Sequence, residues 1–331
     1  MNNNGGKMKK YENVLKNSGE FLTPDQVKKM DALCQVMIAV QPEIEDFRGQ
    51  PRFSNNLIET SKQKLSAKIE EIKNRNKNRQ NSSNDDIYAR MAEPIIAYIF
   101  SGKERSAFED KESFAFLASD YDDLLNGTDI VLSVQNKEGK NDITCSIDVT
   151  TATNAQKIAE KFQRSSLRRG STPPYCSYVK FCEFDGRYWT AEAAPHFTLG
   201  LMPSRVENAL DNIEFNDGII AGRKKDEATD FKLFSEMYEQ ILMQETKVQK
   251  EYGKSVTTEP FYENLEVLRG AVRTKLEKIC KVEGADEETR QKNFEIKYGS
   301  MKRKHREDLV YKNIVDACTF VNLGTTALGN R

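Results

Sequence analysis

Two aspartates carry the chemistry this chain can most readily do. Asp129 sits in Asn126-Gly127-Thr128-Asp129-Ile130-Val131-Leu132 and Asp148 in Ser146-Ile147-Asp148-Val149-Thr150, nineteen residues on. Both segments read as strands, and taking a lone carboxylate out of water costs roughly several kcal/mol unless a cation or hydrogen-bond donors compensate. Acids on neighbouring strands could converge on one divalent metal, and hard oxygen donors select Mg²⁺ or Mn²⁺. The plainer alternative is a pair of strand-end or turn acids.

The rest of the inventory narrows the chemistry. Only His196 and His305 are present, which argues against zinc hydrolases built on several histidines. His196, beside Phe197, reads as packed or solvated, and a Ser-His or Cys-His nucleophile stays open only formally. Cys34, Cys145, Cys176, Cys182, Cys280 and Cys318 form no CxxC pair, so reduced thiols are expected rather than a zinc ribbon or disulfide framework. There is no Walker phosphate loop and no GxGxxG. Metal-assisted hydrolysis on carboxylates is what remains.

Charge gives no global direction. With 50 basic and 51 acidic side chains, any contact with nucleic acid must come from a local basic patch. No run of about 18 apolar residues is present, and Met1-Asn2-Asn3-Asn4-Gly5-Gly6 lacks the apolar core of a signal peptide. The expectation is a soluble, cytoplasmic protein with no membrane partner.

The elements that would position the acids follow from periodicity. Residues 1 to about 20, rich in Asn, Gly and Lys, are expected to be disordered at the tip. Thr23 as cap and Pro24 in the first turn open a helix carrying Val27, Met30, Leu33, Val36 and Met37. Residues 56–80 predict a second helix, ahead of a polar linker near residue 84. Residues 85–100 predict a third, with Pro94 kinking it or marking its start. Strands are predicted at 129–135, 143–151, 176–184, 187–192 and 196–202, with a helix over 154–169. Helical periodicity then returns along Phe231, Phe234, Met237 and Ile241, again along Phe261, Leu265, Leu268 and Leu276, and in shorter pieces to Cys318. The fold class is therefore α/β, a central mixed sheet flanked by helices, with long helical N- and C-terminal additions. The expected division is 1–84 helical and partly disordered, 85–205 an α/β core, and 206–331 helical.

On these residues the chain resembles the PD-(D/E)xK restriction-endonuclease-like superfamily. The run Ser119-Asp120-Tyr121-Asp122-Asp123-Leu124-Leu125-Asn126-Gly127-Thr128-Asp129, with Ile147-Asp148-Val149-Thr150, is similar to uncharacterised bacterial members with a "YDD…NGxD…DVT" pattern, over residues 85 to 205. In that superfamily an Asp opens one strand and an (Asp/Glu)-x-Lys follows on the next, often after a helical Glu. The resemblance assigns Asp129 and Asp148 to the two acids and Glu93 to the helical one, with Mg²⁺ or Mn²⁺ as cofactor. The lysine position falls on Thr150, which cannot supply a cation. Some members draw the lysine from the following helix, where Lys157 and Lys161 are the candidates.

Helical phase compares those two. Ala155, Ile158, Ala159 and Phe162 define an apolar face, and Lys157, Lys161, Arg164 and Arg168 a cationic stripe almost opposite, with Lys161 nearest the boundary. The stripe is either a solvated face or, through Arg164 and Arg168, a contact for a phosphate backbone. Lys180 is a third possible cation. Asp122 and Asp123 read first as caps of the Asn126-Gly127 turn, and second as acids that orient a metal-bound water. Glu93, ahead of Pro94, reads first as a surface residue and second as a ligand.

The function expected is a metal-dependent nuclease acting on DNA, less readily on RNA. The alternative is a nuclease-like fold without catalysis, serving as a nucleic-acid-binding or protein-interaction module. A purely structural helical protein would leave the acids without a purpose. Helical flanks could support a homodimer or a protein partner.

Overall fold

The computed structural model describes residues 11, 15–16, 18–76, 84–101, 108, 111–135, 142–166, 176–184, 186–252 and 259–322. Helix α1 (Pro24–Ala39) begins where its sequence says it should: the Thr23 hydroxyl accepts the Gln26 N–H, and the Gln26 side chain accepts the Thr23 N–H in return. Helices α2 (Asn55–Asn76) and α3 (Asn84–Phe100) follow, and Pro94 lies inside α3 rather than at its start. Tyr11 and Ser18 are both fully buried. Residues 1–10 lie outside the described set.

Strands β1 (Ser113–Leu117), β2 (Ile130–Val134), β3 (Ile143–Thr150), β4 (Cys176–Phe184) and β5 (Arg187–Gly200) form one mixed, curled sheet in the order β1-β2-β3-β5-β4, with α4 (Ala155–Ser166) between β3 and β4. The meander β1-β2-β3 is antiparallel, β3 and β5 run parallel, and β4 returns antiparallel to β5. Residues 187–192 and 196–202, expected as two strands, are largely one long strand. Its first part pairs with β4 and its second with β3, so the β4–β5 hairpin curls over the sheet.

Both faces of the central strands are covered, which is why they read as apolar runs more than as strict alternation. Ile130, Leu132, Ile143, Cys145, Ile147 and Val149 face a core shared with Met91, Ile95 and Ile96 of α3. On the other face Phe116, Ala118 and Val131 meet Val179, Cys182 and Ala194 of the curled hairpin. Then come α5 (Pro203–Asp211), a hairpin of β6 (Ile213–Asn216) and β7 (Ile219–Arg223), and helices α6 (Glu227–Tyr252), α7 (Glu259–Ile279), α8 (Glu287–Lys304) and α9 (Leu309–Asn322). One continuous apolar core joins Met30, Ile95, Ile147, Phe231 and Leu265, and so runs through all three stretches separated by sequence.

Helix α6 also closes the sheet where β4 stops. The Thr198 N–H and C=O both bond the Gln240 side-chain amide at 2.7 Å, Glu236 accepts the Gly200 N–H at 2.9 Å, and Gln244 donates to the His196 carbonyl at 2.7 Å. Steps of four residues on a helix and two on a strand both advance about 6 to 7 Å, so the two rows stay in register. Among the described residues no helix is long and apolar enough to cross a membrane.

Candidate active site

The turn before β2 is a single π-helical turn, Asp122–Asn126, ended by Gly127 at φ 61°, a left-handed conformation in which glycine meets no Cβ penalty. It delivers Asp129 to the mouth of β2 with the chain already paired. The Asp129 N–H donates to the Ile147 carbonyl at 2.9 Å, and its Oδ2 accepts the Val149 N–H at 2.6 Å. Asp129 therefore brackets Asp148, bonding the residue on either side of it. Its carboxylate stands in for the strand that would otherwise take the Val149 N–H.

Asp148 meets a cation from α4. The Lys161 Nζ donates to Asp148 Oδ1 at 2.7 Å and to the Val149 carbonyl at 2.7 Å, and the two side chains keep 26% and 21% of their surface open. The site is thus recessed yet reachable by solvent. Ile158 and Phe162 of α4 bury against Val310 and Ile314 of α9, which fixes the phase of α4 so that Lys161 turns inward. Lys157, on the first turn, is exposed.

The electrostatics reflect crowded negative charge. Burial, then the carboxylates of Glu93, Asp148 and Asp123, push the Asp129 carboxyl well above its usual range, and Lys161 opposes them. Burial would depress the Lys161 ammonium, but Asp148, Asp129 and Glu93 outweigh it and hold its pKa above the ordinary lysine value. Glu93 comes from α3, is buried, and accepts a 2.7 Å hydrogen bond from the Tyr11 hydroxyl.

The remaining candidates separate cleanly. Thr150 is buried, and its hydroxyl accepts the Ala152 N–H in the turn leading to α4, so it serves backbone geometry while Lys161 brings charge one residue away. Lys180 is not brought to the acids: it is 7% exposed, donates to the Ser61 hydroxyl at 2.6 Å and lies 4.7 Å from the centre of the Tyr121 ring. Burial and the nearby Lys64 lower its pKa; it fastens β4 to α2 and offers no surface ammonium to a phosphate. Arg164 belongs to α4 with its side chain outside the description, and Arg168 lies outside the described residues.

Asp122 and Asp123 differ in their surroundings. Asp122 is fully buried and accepts the N–H groups of Lys180 and Phe181, the Ser119 hydroxyl and the Asn126 amide, which latches the turn to the edge of β4. Asp123 lies near enough to raise Asp129. The Ser146 hydroxyl does contact His196 Nδ1 at 2.8 Å, but at 0% and 3% exposure the pair is sheet interior with no access for a substrate. Tyr11 was not foreseeable, since no local pattern marks a residue that meets its partner 82 positions away.

Among the described residues no group of three or more His, Cys, Asp or Glu side chains is gathered into a metal-holding cluster. The donor chemistry nonetheless suits a hard cation. Mg²⁺ is commonly held by one or two carboxylates with waters completing its shell, and the charge crowding at Asp129 is what a divalent ion would relieve. No protein-family model matches the sequence, and neither a curated protein nor a solved structure matches the chain.

Proposed function

We propose that this chain is a metal-dependent nuclease that hydrolyses phosphodiester bonds of nucleic acid, with DNA the first substrate to test. The observation that carries the reading is Lys161, reaching from α4 to clasp Asp148 while Asp129 brackets the same residue from the next strand. An Asp at the opening of β2, an acid near the end of β3 and a glutamate on the helix upstream agree with the restriction-endonuclease-like arrangement. A lysine taken from α4 answers the threonine at position 150.

In this reading Asp129 and Asp148, with Glu93 behind them, hold Mg²⁺ or Mn²⁺. The bound ion would polarise a phosphate oxygen and lower the pKa of a water. The protein's own share is positional. The Val149 N–H fixes the Asp129 carboxylate, and the Lys161 ammonium supplies a permanent positive charge beside Asp148, where negative charge grows on a phosphate under attack. Packing of α4 on α9 keeps that ammonium from swinging into solvent.

The test is incubation of purified protein with labelled single- and double-stranded DNA and RNA, in Mg²⁺, Mn²⁺ or EDTA, beside Asp148→Asn. Metal-dependent cutting lost in the variant is the expected result. A second reading, a nuclease-like fold that binds without cutting, is favoured by the ungathered carboxylates, and retention of nucleic acid with no cleavage in any metal would select it.

A further inference from the structure

We infer that the corner between α8 and α9 is the surface that receives the phosphate backbone of nucleic acid, through Arg303, Lys304 and Lys312. The inference rests on the nucleic-acid reading of the neighbouring site and deepens it by naming where the polymer lies. It needs neither a bound metal nor cleavage.

Charge comes first. Residues 297–312 hold six lysines and arginines against two acids, in a chain whose 50 basic and 51 acidic side chains nearly cancel. Of those two acids Asp308 is buried and paired with Lys232, which leaves Glu307 as the exposed one. Three of the six cations are committed to the fold. Lys297 donates to the Lys281 carbonyl, Lys302 pairs with Glu239 at 2.5 Å, and Arg306 with Asp316 at 2.8 Å. Among the described residues no ion pair holds the other three. Arg303 and Lys304 are exposed at the end of α8, and Lys312 is half-buried near the start of α9.

Helix dipoles do not account for these charges. The C-terminal end of a helix carries roughly half a negative charge, and the last turn of α8 holds three cations. Lys312 stands in the first turn of α9, the positive end, where a cation is disfavoured. Like charges gathered in this way repel one another, and a polyanion relieves the repulsion.

Position supplies the second argument, because α9 lies on the turn that joins the strand of Asp148 to the helix of Lys161. The Asn313 amide, next to Lys312, donates to the Thr153 carbonyl at 2.8 Å, and Val310 and Ile314 pack with Ile158 of α4. Val310 also abuts Gly200, which pairs with Thr150 across the sheet. One residue before Thr150, the Val149 carbonyl accepts the Lys161 ammonium. The free cations therefore border the recess, and phosphates held along the corner lead the strand past Asp148 and Lys161. Contacts of this kind fix register and orientation and read no sequence.

The experiment is fluorescence anisotropy of labelled single- and double-stranded DNA in EDTA, titrated with the full chain over a series of salt concentrations, each protein with its thermal midpoint. One variant carries Arg303→Gln, Lys304→Gln and Lys312→Gln. A control carries Lys28→Gln, Lys224→Gln and Lys292→Gln, the same charge removed from exposed positions elsewhere. A third keeps the corner's charge with Arg303→Lys, Lys304→Arg and Lys312→Arg. The first is expected to flatten the slope of log affinity against log salt by about 3 on duplex DNA and to weaken binding to all sequences alike. The control and the charge-keeping variant are expected to hold the wild-type slope. Equal slopes in the first two variants, or a flattened slope in the third, would overturn the corner and leave the nucleic-acid reading standing. A folded wild type that binds no DNA would overturn both, as would retention on vesicles of anionic lipid with none on DNA.

Discussion

Lys157 and Lys161 are one helical turn apart, and Lys161 is the one that clasps Asp148. Loss of one charge-stabilising donor at such a site costs roughly 10²- to 10³-fold in rate, so under the proposed nuclease function Lys161→Met is expected to reduce cleavage on that scale and by more than Lys157→Met, measured on one labelled oligonucleotide. Equal losses would place the working cation elsewhere. Asp122→Ala strands two buried strand N–H groups, at about 1–3 kcal/mol each, and is expected to lower the urea midpoint of unfolding. At this scale sequence was informative where a side chain's role depends on its own element: the phase of α4 already set Lys161 closest to the apolar boundary. It was uninformative where the role depends on a distant surface. Lys180 has the composition of an exposed strand cation, and only the rings of Tyr121 and Phe181 and the Ser61 hydroxyl explain why it lies inside.

Elements bounded by chemical punctuation were legible. Thr23-Pro24 opens α1, and the strands holding Asp129 and Asp148 start and stop near their predicted limits. Strand β1, Ser113–Leu117, is only five residues long and too short for its alternation to stand out in the sequence. The β6–β7 hairpin carried a readable mark, Asp217-Gly218, with both residues at positive φ, 50° and 83°, as a two-residue hairpin loop requires. The packing of α9 gives a sharp test of element contact. A Cβ at Gly200 would lie 2.3 Å from Val310 Cγ1 and 3.0 Å from the Thr150 carbonyl. Val310 is β-branched and cannot easily turn aside. Gly200→Ala is therefore expected to cost about 1–3 kcal/mol, partly restored by Val310→Ala, as read from denaturant unfolding.

For the molecule as a whole, His305 and Glu236 are two of the buried groups that pull stability in opposite directions with pH. Burial, then the charges of Lys232, Arg205 and Lys304, against Asp308, lower His305 from 6.5 to about 4. A histidine kept neutral on folding contributes stability that is present above 6.5 and lost as pH falls from there toward about 4. Glu236 is the reverse case. Burial, opposed by the Gly200 N–H, raises its carboxyl well above 4.5, so its contribution is present below that value and lost as pH climbs toward the folded pKa. Thermal midpoints across the pH range should show His305→Phe flattening the acid side and Glu236→Gln the alkaline side. A profile unmoved by either variant would mean that other groups govern the acid and alkaline limits.

The side chains that α6 lays along β5 also matter for the growing polypeptide. His196 leaves the ribosome 48 residues before Gln244, and Gly200 leaves 36 residues before Glu236. At synthesis rates of about 5 to 20 residues per second, the C-terminal part of β5 waits roughly 2 to 10 seconds with its backbone groups uncovered. During that interval the nascent strand is open to a neighbouring nascent strand or a chaperone, and a chain halted between β5 and α6 would keep it open permanently.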